Sequence, residues 1–263
     1  MAAEFTALVR DCGPRVLAVV RRLVHDPSDA EDSVQEAFLN AYRRWDDFRG
    51  EAARCTWLHS IAIRAATRRA RREARRRGVA REYAQALPFM HPRLARADFA
   101  ARSAEARELR DDARARVGEA LREVAEPFRT ALLLKEIAGM SIGDVARVLG
   151  VKEATVKTRL HRGRILLRAA LLAERPPRAV PPAAYDRATC MDLLRAKMDA
   201  LDRGAEFPVQ DALACERCRE VFASLDVGAD ACRSLRAATM PAALRRRIEA
   251  VIRAEGPLAP RRG

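Results

Sequence analysis

Four of the six cysteines lie in the C-terminal part of the chain, where their thiols could bind a metal ion. Cys215 and Cys218 form a Cys-x-x-Cys pair, which Cys190 precedes and Cys232 follows. Thiolates at such a spacing can close a tetrahedral zinc site, and paired thiolates also attract soft ions such as cadmium or cuprous copper. The alternative is that these cysteines are small buried hydrophobic side chains. Because only two cysteines occur in the preceding 189 residues, the clustering favours a metal site.

A second group of candidate side chains is basic and hydroxyl-bearing, and it follows a predicted turn. Ser141 and Asp144 form a capping box that predicts the start of one helix, and Gly150 suits the residue after its end. A second helix is expected from about Glu153. Its inward stripe is Val156, Leu160, Gly163 and Leu167, at helical spacing.

The outward positions of this second helix carry the chemistry of nucleic-acid binding. Arg and Lys can bond guanine edges or phosphates, and Thr and His can reach either. Two short helices joined by a Gly turn form a helix-turn-helix, whose second helix suits a DNA major groove. The alternative is a solvated basic helix in an ordinary helical domain. The candidate DNA-contacting residues are Thr155, Lys157, Thr158, Arg159, His161, Arg162 and Arg164.

Composition agrees with a polyanionic partner. The 263 residues include 50 Lys and Arg against 36 Asp and Glu, a formal net charge of +14, which favours nucleic acid over a membrane surface. No apolar run is long enough to span a bilayer and no signal peptide is recognisable, so we expect a cytoplasmic protein without a membrane partner. In that reducing compartment the cysteines are expected to be thiols or metal ligands, with Cys12 and Cys55 structural. Abundant Ala, Leu, Arg and Glu predict an all-α fold.

The N-terminal third predicts three helical stretches. Residues 4–25 have helical periodicity, which Gly13-Pro14 either breaks into two helices or kinks. Ser28 or Asp29 is expected to cap the next helix, which has an exposed polar stripe and by itself would be an ordinary surface helix. After a loop around 49–54, a helix beginning near Cys55 carries many arginines. A basic helix behind an aromatic-bearing loop suits a DNA backbone next to an unpaired base.

These blocks resemble a known family. Asp29-Ala-Glu-Asp-Ser-Val-Gln-Glu-Ala-Phe38, Phe48-Arg49-Gly50-Glu51 and Thr56-Trp57-Leu58 resemble region 2 of bacterial extracytoplasmic-function (ECF) sigma factors. Pro127-Phe128-Arg129 and the helix-turn-helix through Arg164 resemble their region 4. The resemblance covers about residues 5–172, with Lys152 departing from the usual Ser or Pro before the recognition helix.

The resemblance implies two helical domains joined by a flexible linker, and core RNA polymerase and promoter DNA as partners. The helix with Thr155–Arg164 would bind the −35 element, and the first domain would melt the −10 element while its loop holds a flipped base. Region 2 would dock on the β′ coiled coil, with the β flap as a further polymerase contact. The implied −10 residues are Arg49, Gly50, Glu51, Arg54, Trp57, Arg64 and Arg68. The implied polymerase-binding residues are Asp29, Asp32, Gln35, Glu36 and Phe38.

The tail beyond the Pro-rich joint at 175–182 has resemblances of its own. It resembles the zinc-binding anti-sigma fold, with Asp211 in place of the His ligand ahead of the Cys-x-x-Cys, and CorE-like sigma factors whose cysteine-rich C-terminal domain senses metal. The fourth ligand is therefore left open between Asp211 and Cys232. The implied division is region 2 at 1–77, a linker at 78–112, region 4 at 113–174 and a regulatory domain at 183–255.

The sequence thus predicts a transcription initiation factor regulated in cis by metal, for which a separate anti-sigma factor is possible but not required. The alternative is a one-component, metal-responsive helix-turn-helix repressor, which would leave the region 2 motifs without a role. An enzyme is not expected, because the chain has no Ser/His/Asp set, no HExxH motif and no phosphate-binding Gly loop.

Overall fold

The computed structural model describes residues 2–24, 26–50, 52–77, 115–173, 181–207, 214–237 and 239–255. Over these ranges the chain forms helices and connecting turns and no strand, so the predicted all-α class is confirmed. None of the described helices is both long and apolar enough to cross a bilayer. The predicted linker at 78–112 and residues Glu51 and Asp211 lie outside the described residues.

The chain divides into two compact units, each assembled from separate segments. One unit comprises residues 1–79, 133–153 and 235–263, and the other comprises residues 80–132 and 154–234. Each unit is described by itself below.

The first unit contains three long helices: α1 (Ala2–Leu23), α2 (Pro27–Arg43) and α3 (Arg54–Arg77), which pack against one another. Helix α1 is continuous through Pro14, so the Gly13-Pro14 pair does not divide it. The aromatic side chains are concentrated at one place, where the Phe5 ring meets Phe38 and Tyr42 edge-on with centroids 6.2 and 5.1 Å apart. Burial of these rings and the aliphatic side chains around them holds the three helices together.

The cap of α2 differs from the sequence expectation. Asp26, rather than Ser28 or Asp29, is the N-cap, and its carboxylate accepts hydrogen bonds from the backbone N–H of Ser28 and Asp29. Pro27 then occupies the first helical turn, where the missing N–H costs nothing. The Asp26-Pro27 pair therefore begins this helix.

A disulfide joins α1 to α3 within the first unit. The sulfurs of Cys12 and Cys55 are bonded, with their Cα atoms 5.6 Å apart and the two residues 43 positions apart in sequence. The expectation that all six cysteines are thiols or metal ligands is wrong for this pair. Helix packing brings the two residues within disulfide distance, which the sequence spacing alone does not signal.

Two further segments belong to the first unit. Residues Leu133–Ile137 form a π-helical turn and are followed by α6 (Ile142–Leu149), which packs against α3. A short 3₁₀ turn, Leu235–Ala237, precedes α10 (Ala242–Glu255), which packs against α2 and α1.

The second unit contains residues 115–123 (α4), α5 (Glu126–Leu132), α7 (Glu153–Ala173, from residue 154), α8 (Arg187–Arg203) and α9 (Glu216–Ser234). Asp186 caps α8 by accepting from the N–H of Thr189, and Gly204 ends it with φ +64°. A hydrophobic core shared by α7, α8 and α9 includes Ile165, Leu194 and Phe222. The tail helices α8 and α9 are therefore packed on α7.

Candidate nucleic-acid interface

The predicted helix-turn-helix begins and ends as the sequence indicates. The Ser141 hydroxyl accepts a hydrogen bond from the Asp144 N–H at 3.1 Å and donates one to its carboxylate at 2.6 Å. Gly150 ends α6 in the left-handed region at φ +64°, and α7 begins at Glu153. Because an L side chain is disfavoured at that φ, Gly at this position stabilises the turn.

The inward stripe of α7 is also confirmed. Val156, Leu160, Gly163 and Leu167 are all buried. A Cβ built on Gly163 would lie 2.9 Å from the Leu132 side chain and 3.1 Å from the Phe128 carbonyl oxygen, closer than side-chain carbons normally approach. Only glycine at this position allows α7 to lie this close to α5.

Six of the seven candidate −35 residues remain at least partly accessible. Lys157, Thr158 and Arg162 are exposed, and Thr155, Arg159 and His161 are half-buried. Burial lowers the pKa of His161, and the charge of Arg164 adds to this effect. The lowered pKa favours the neutral imidazole, which can act as a hydrogen-bond donor and acceptor.

Arg164 does not lie on the exposed face, which corrects the sequence expectation. Its side chain is 4% exposed, and its Nη1 donates to Asp202 Oδ1 of α8 at 2.6 Å. One turn further along α7, Arg168 Nε donates to Ser224 Oγ of α9 at 2.6 Å, and burial lowers the pKa of Arg168 to about 10. Both arginines are held by the tail helices in this arrangement, so they are unavailable to DNA.

The loop before α3 brings a cation and several aromatic rings together. The Arg54 guanidinium lies 4.9 Å from the centre of the Trp45 ring and 5.9 Å from that of Phe48. Trp57 contacts both rings, with centroids 6.3 and 5.4 Å apart. Cation–π contacts of this kind order an exposed loop. Sequence reasoning selected Arg54 and Trp57 but did not select Trp45 or Phe48, which hold them in place.

The other candidate −10 residues that the structure describes are a loop glycine and three arginines. Arg49, Arg64 and Arg68 are exposed, and Gly50 has φ +74°. The positive φ explains why glycine stands at the tip of the loop. The loop thus combines Arg49, Arg54 and three half-buried rings, and further arginines follow along α3, with Arg68 about 21 Å from Arg54 along the axis. Rings and cations in this order suit an unstacked base followed by the phosphates of its strand.

The predicted polar stripe on α2 is present, but its members differ in accessibility. Asp32 and Glu36 are exposed, and Gln35 is half-buried. Asp29 forms an ion pair with Arg69 of α3. Phe38 is fully buried against Phe5, so the expectation that it contacts a partner protein directly is wrong. Phe38 instead packs in the hydrophobic core of the first unit.

Three of the tail thiols lie close together. Cys190 and Cys218 belong to the shared core of the second unit, and Cys215 packs against it. Burial, together with the neighbouring Cys215 and Cys190 thiols, raises the pKa of Cys218 to about 12. The pKa of Cys215, in contrast, is lowered overall. Burial acts to raise it, but hydrogen bonds from the backbone of Ala184, Cys218 and Arg217 outweigh burial.

The remaining expected metal ligands do not join these thiols. Cys232 lies on α9, the same helix as Cys218 and 14 residues further along it. At 1.5 Å per residue the two are about 21 Å apart along the axis, so Cys232 is corrected from candidate ligand to buried core residue. Within the described part of the chain, no three or more His, Cys, Asp and Glu side chains are arranged to hold a metal ion.

Comparisons with known proteins identify the two motif blocks. Residues 8–76 match the model of sigma-70 region 2, and residues 114–167 match that of sigma-70 region 4. The chain is 36% identical over 160 residues to the RNA polymerase sigma-H factor of Pseudomonas aeruginosa, covering 61% of this chain and 82% of that protein. It is 32% identical over 169 residues to the ECF RNA polymerase sigma-E factor of Escherichia coli K12, with the same coverage. A structure of the sigma factor RpoE with the anti-sigma factor NepR from Bartonella quintana superposes with a TM-score of 0.47 at 22% identity, covering 65% and 99% of the two chains.

The chain belongs to the ECF group of sigma-70 factors. Sigma factors of this family are non-enzymatic initiation factors that bind core RNA polymerase and promoter DNA. In this sigma factor, the α2 stripe and the Arg54 loop lie in region 2, and α7 begins in region 4 and extends beyond the matched range.

Proposed function

We propose that this sigma factor recognises the −35 element through the exposed face of α7 and opens the −10 element with the loop and helix around Arg54. Arg162, Lys157 and Thr158 would contact the duplex. The Trp45, Phe48 and Trp57 rings would support an unstacked base while Arg49, Arg64 and Arg68 bind phosphates. The support is the exposure of these cations and the ordered aromatic cluster beside them.

We also propose that Asp32, Gln35 and Glu36 of α2 form the surface that docks on the β′ coiled coil, with the β flap contacting region 4. These residues lie on one face of a helix within region 2, where the Asp32 and Glu36 carboxylates are exposed and the Gln35 amide is half-buried. The chain would act in the cytoplasm, where RNA polymerase acts. A one-component repressor would not use this face or the Arg54 loop.

The tail is proposed to regulate this activity in cis. The observation that carries this proposal is the buried pair between Arg164 and Asp202, because it binds a basic residue of the promoter-recognition helix to a helix of the tail. Freeing Arg164 for duplex DNA would require α8 to give up this contact. A ligand that binds the two arrangements of the tail unequally would therefore change promoter binding.

A metal ion is the proposed ligand, held by Cys190, Cys215 and Cys218 with Asp211 as the fourth candidate. The support is that these three thiols, donors that suit zinc, cadmium or cuprous copper, neighbour one another in the second unit. Among the described residues they are not arranged as a metal site, so the ion would have to draw them together. When bound, such an ion would hold its ligands as thiolates, replacing the repulsion between neighbouring thiolates with attraction to a cation.

Run-off transcription and metal analysis test this regulation together. The full chain with core polymerase is expected to change its promoter-specific output on adding zinc, cadmium or cuprous copper, and to bind one equivalent by elemental analysis. Cys215→Ser/Cys218→Ser should bind none and give the same output with and without metal. Cys232→Ser is the matched control, since Cys232 is as buried as Cys218 but lies about 21 Å from it along α9. Equal metal content in all three proteins would rule out this site.

A further inference from the structure

The C-terminal helix lies on the face of α2 that the proposed function assigns to core polymerase. We propose that α10 is an intramolecular cover for this face, and that it must leave before the sigma factor docks. The proposal rests on the α2 assignment made above. It concerns α10 in the first unit, and it does not depend on the thiol cluster in the second.

Arg247 makes the central polar contacts. Its Nη2 donates to Asp32 Oδ1 and to Gln35 Oε1, both at 2.9 Å, and its Nη1 lies 3.9 Å from Glu31 Oε2. Two of the three residues of the exposed polar stripe are therefore bonded to one guanidinium. A partner that uses Asp32 and Gln35 cannot bind them while Arg247 holds them.

A second clamp lies at the other ends of the two helices. Arg43 donates to Glu255 through Nε at 2.9 Å and through Nη2 at 2.6 Å. Since Asp32 pairs with Arg247 and Arg43 with Glu255, α10 runs parallel to α2 along its C-terminal half. The clamps are 11 residues apart on α2 and 8 on α10, about 16 and 12 Å, so α10 follows α2 from Asp32 to Arg43, with Asp32 and Gln35 at the start of this contact.

Two apolar side chains of α10, on either side of Arg247 in sequence, are buried. Leu244 and Ile248, four residues apart on one face of α10, are each 1% exposed. They are buried within the unit in which α10 packs on α2 and α1. The helix is therefore docked on region 2 through a hydrophobic stripe, with the ion pairs at its edges.

Met240, two residues before α10, occupies a notch in α1. The Met240 side chain lies over Gly13, where an added Cβ would collide with the Met240 methyl and come within 3.6 Å of the Phe38 ring. Gly13 lies inside α1, where glycine is otherwise unfavourable. Gly13 therefore leaves room for the Met240 side chain, which packs beside Phe38 of α2 just before α10 begins.

The cover is weak enough to be displaced. Arg247 and Asp32 are about half exposed, with side-chain exposures of 49% and 55%, so water and salt screen their attraction. If the covered form predominates, the apparent affinity for polymerase is reduced by the fraction of chains that are uncovered. Weakening α10 should therefore tighten binding.

The test is the affinity of the full chain for fluorescently labelled core polymerase. Arg247→Glu should bind about threefold more tightly than the wild type, because it replaces an attraction to Asp32 with a repulsion. Arg246→Glu is the matched control, because it makes the same charge change at the preceding residue, which is also exposed. It should leave the affinity unchanged. A chain ending at Met240 should bind about tenfold or more tightly, because the apolar contacts are lost as well.

Hydrogen exchange of the free chain gives a readout that does not need polymerase. Amides of residues 242–255 should exchange faster in Arg247→Glu than in Arg246→Glu. If Arg247→Glu and the truncated chain both bind polymerase like the wild type, the cover is overturned while the α2 docking surface stands. If no version of the chain binds polymerase, the proposed function itself fails.

Discussion

Arg164 of α7 and Asp202 of α8 form an ion pair that is buried on both sides, with side-chain exposures of 4% and 6% and a 2.6 Å bond. Two charges removed from water attract each other strongly but lose their hydration, so the pair specifies where α8 packs more than it stabilises the unit. Because Arg164 lies in region 4 and Asp202 in the tail, the pair links the tail to region 4.

Removing one partner of this pair should be costly. Asp202→Ala leaves the Arg164 charge buried without its carboxylate and is expected to lower the free energy of unfolding by about 3 kcal/mol. Asp192→Ala, which removes an exposed carboxylate from the same helix, should change it by about 0.5 kcal/mol or less. Urea denaturation of the full chain measures both. Equal effects of the two substitutions would mean that the buried pair has no special role.

The contact between α5 and α7 requires glycine at position 163. Gly163→Ala should destabilise the second unit by about 1–3 kcal/mol, since the methyl group overlaps Leu132 and approaches the rigid Phe128 carbonyl. Gly118→Ala, in α4, meets no atom within 4 Å and should stabilise by up to about 1 kcal/mol through helix propensity. Thermal denaturation should therefore shift in opposite directions for the two alanines. A stabilised Gly163→Ala protein would contradict the close packing.

His59 should make region 2 sensitive to acid. Burial lowers its pKa to about 4 from an ordinary 6.5, and its Nδ1 lies 2.7 Å from the Cys55 carbonyl oxygen, to which it donates. Between pH 6.5 and 4 the unfolded chain binds a proton at this residue that the folded chain does not. Stability is therefore full above pH 6.5 and falls by about 3 kcal/mol as the pH drops to 4.

Replacing the imidazole checks this assignment. His59→Asn keeps a side-chain donor for the Cys55 carbonyl but cannot titrate, so the slope of stability against pH between 6.5 and 4 should flatten. Urea midpoints measured at several pH values provide the comparison. An unchanged slope would place the acid sensitivity in other groups.

The disulfide between Cys12 and Cys55 should stabilise region 2 only under oxidising conditions. Closing a loop of this length, 43 residues in sequence, corresponds to about 4 kcal/mol in the loop-entropy estimate. Cys12→Ser should therefore lower the unfolding free energy by about 2–4 kcal/mol without reductant and by much less with it. The Cys232→Ser protein, which also loses one buried sulfur, should show no such dependence on reductant. A Cys12→Ser effect that is the same in both conditions would indicate packing rather than a covalent link.

Local signals in the sequence were sufficient for the helix-turn-helix. The Ser141 cap, the Gly150 turn and all four inward residues of α7 depend on neighbours within one or two helical turns, and each is found in the structure. The Asp26 cap is equally local, because Asp before Pro is a common helix start, but the expectation placed the cap at Ser28 or Asp29.

Contacts between distant residues could not be predicted in this way. Arg164 flanks the buried stripe, and a charged residue there is normally placed outside; its partner is 38 residues away. Arg247 is separated from Asp32 by 215 residues, and nothing near either residue indicates the other. The separation of Cys232 from Cys218 follows from one uninterrupted helix, α9, whose length the cysteine spacing did not reveal.

The measurement that tests the central claim most directly is promoter-specific transcription by core RNA polymerase supplied with this protein alone. The purified chain is expected to co-purify with core enzyme and to produce a run-off transcript from its cognate promoter. Arg54→Ala, which leaves α7 and the α2 stripe intact, should reduce open-complex formation more than polymerase binding. A chain that binds duplex DNA by itself but neither associates with core enzyme nor supports any transcript would contradict the account.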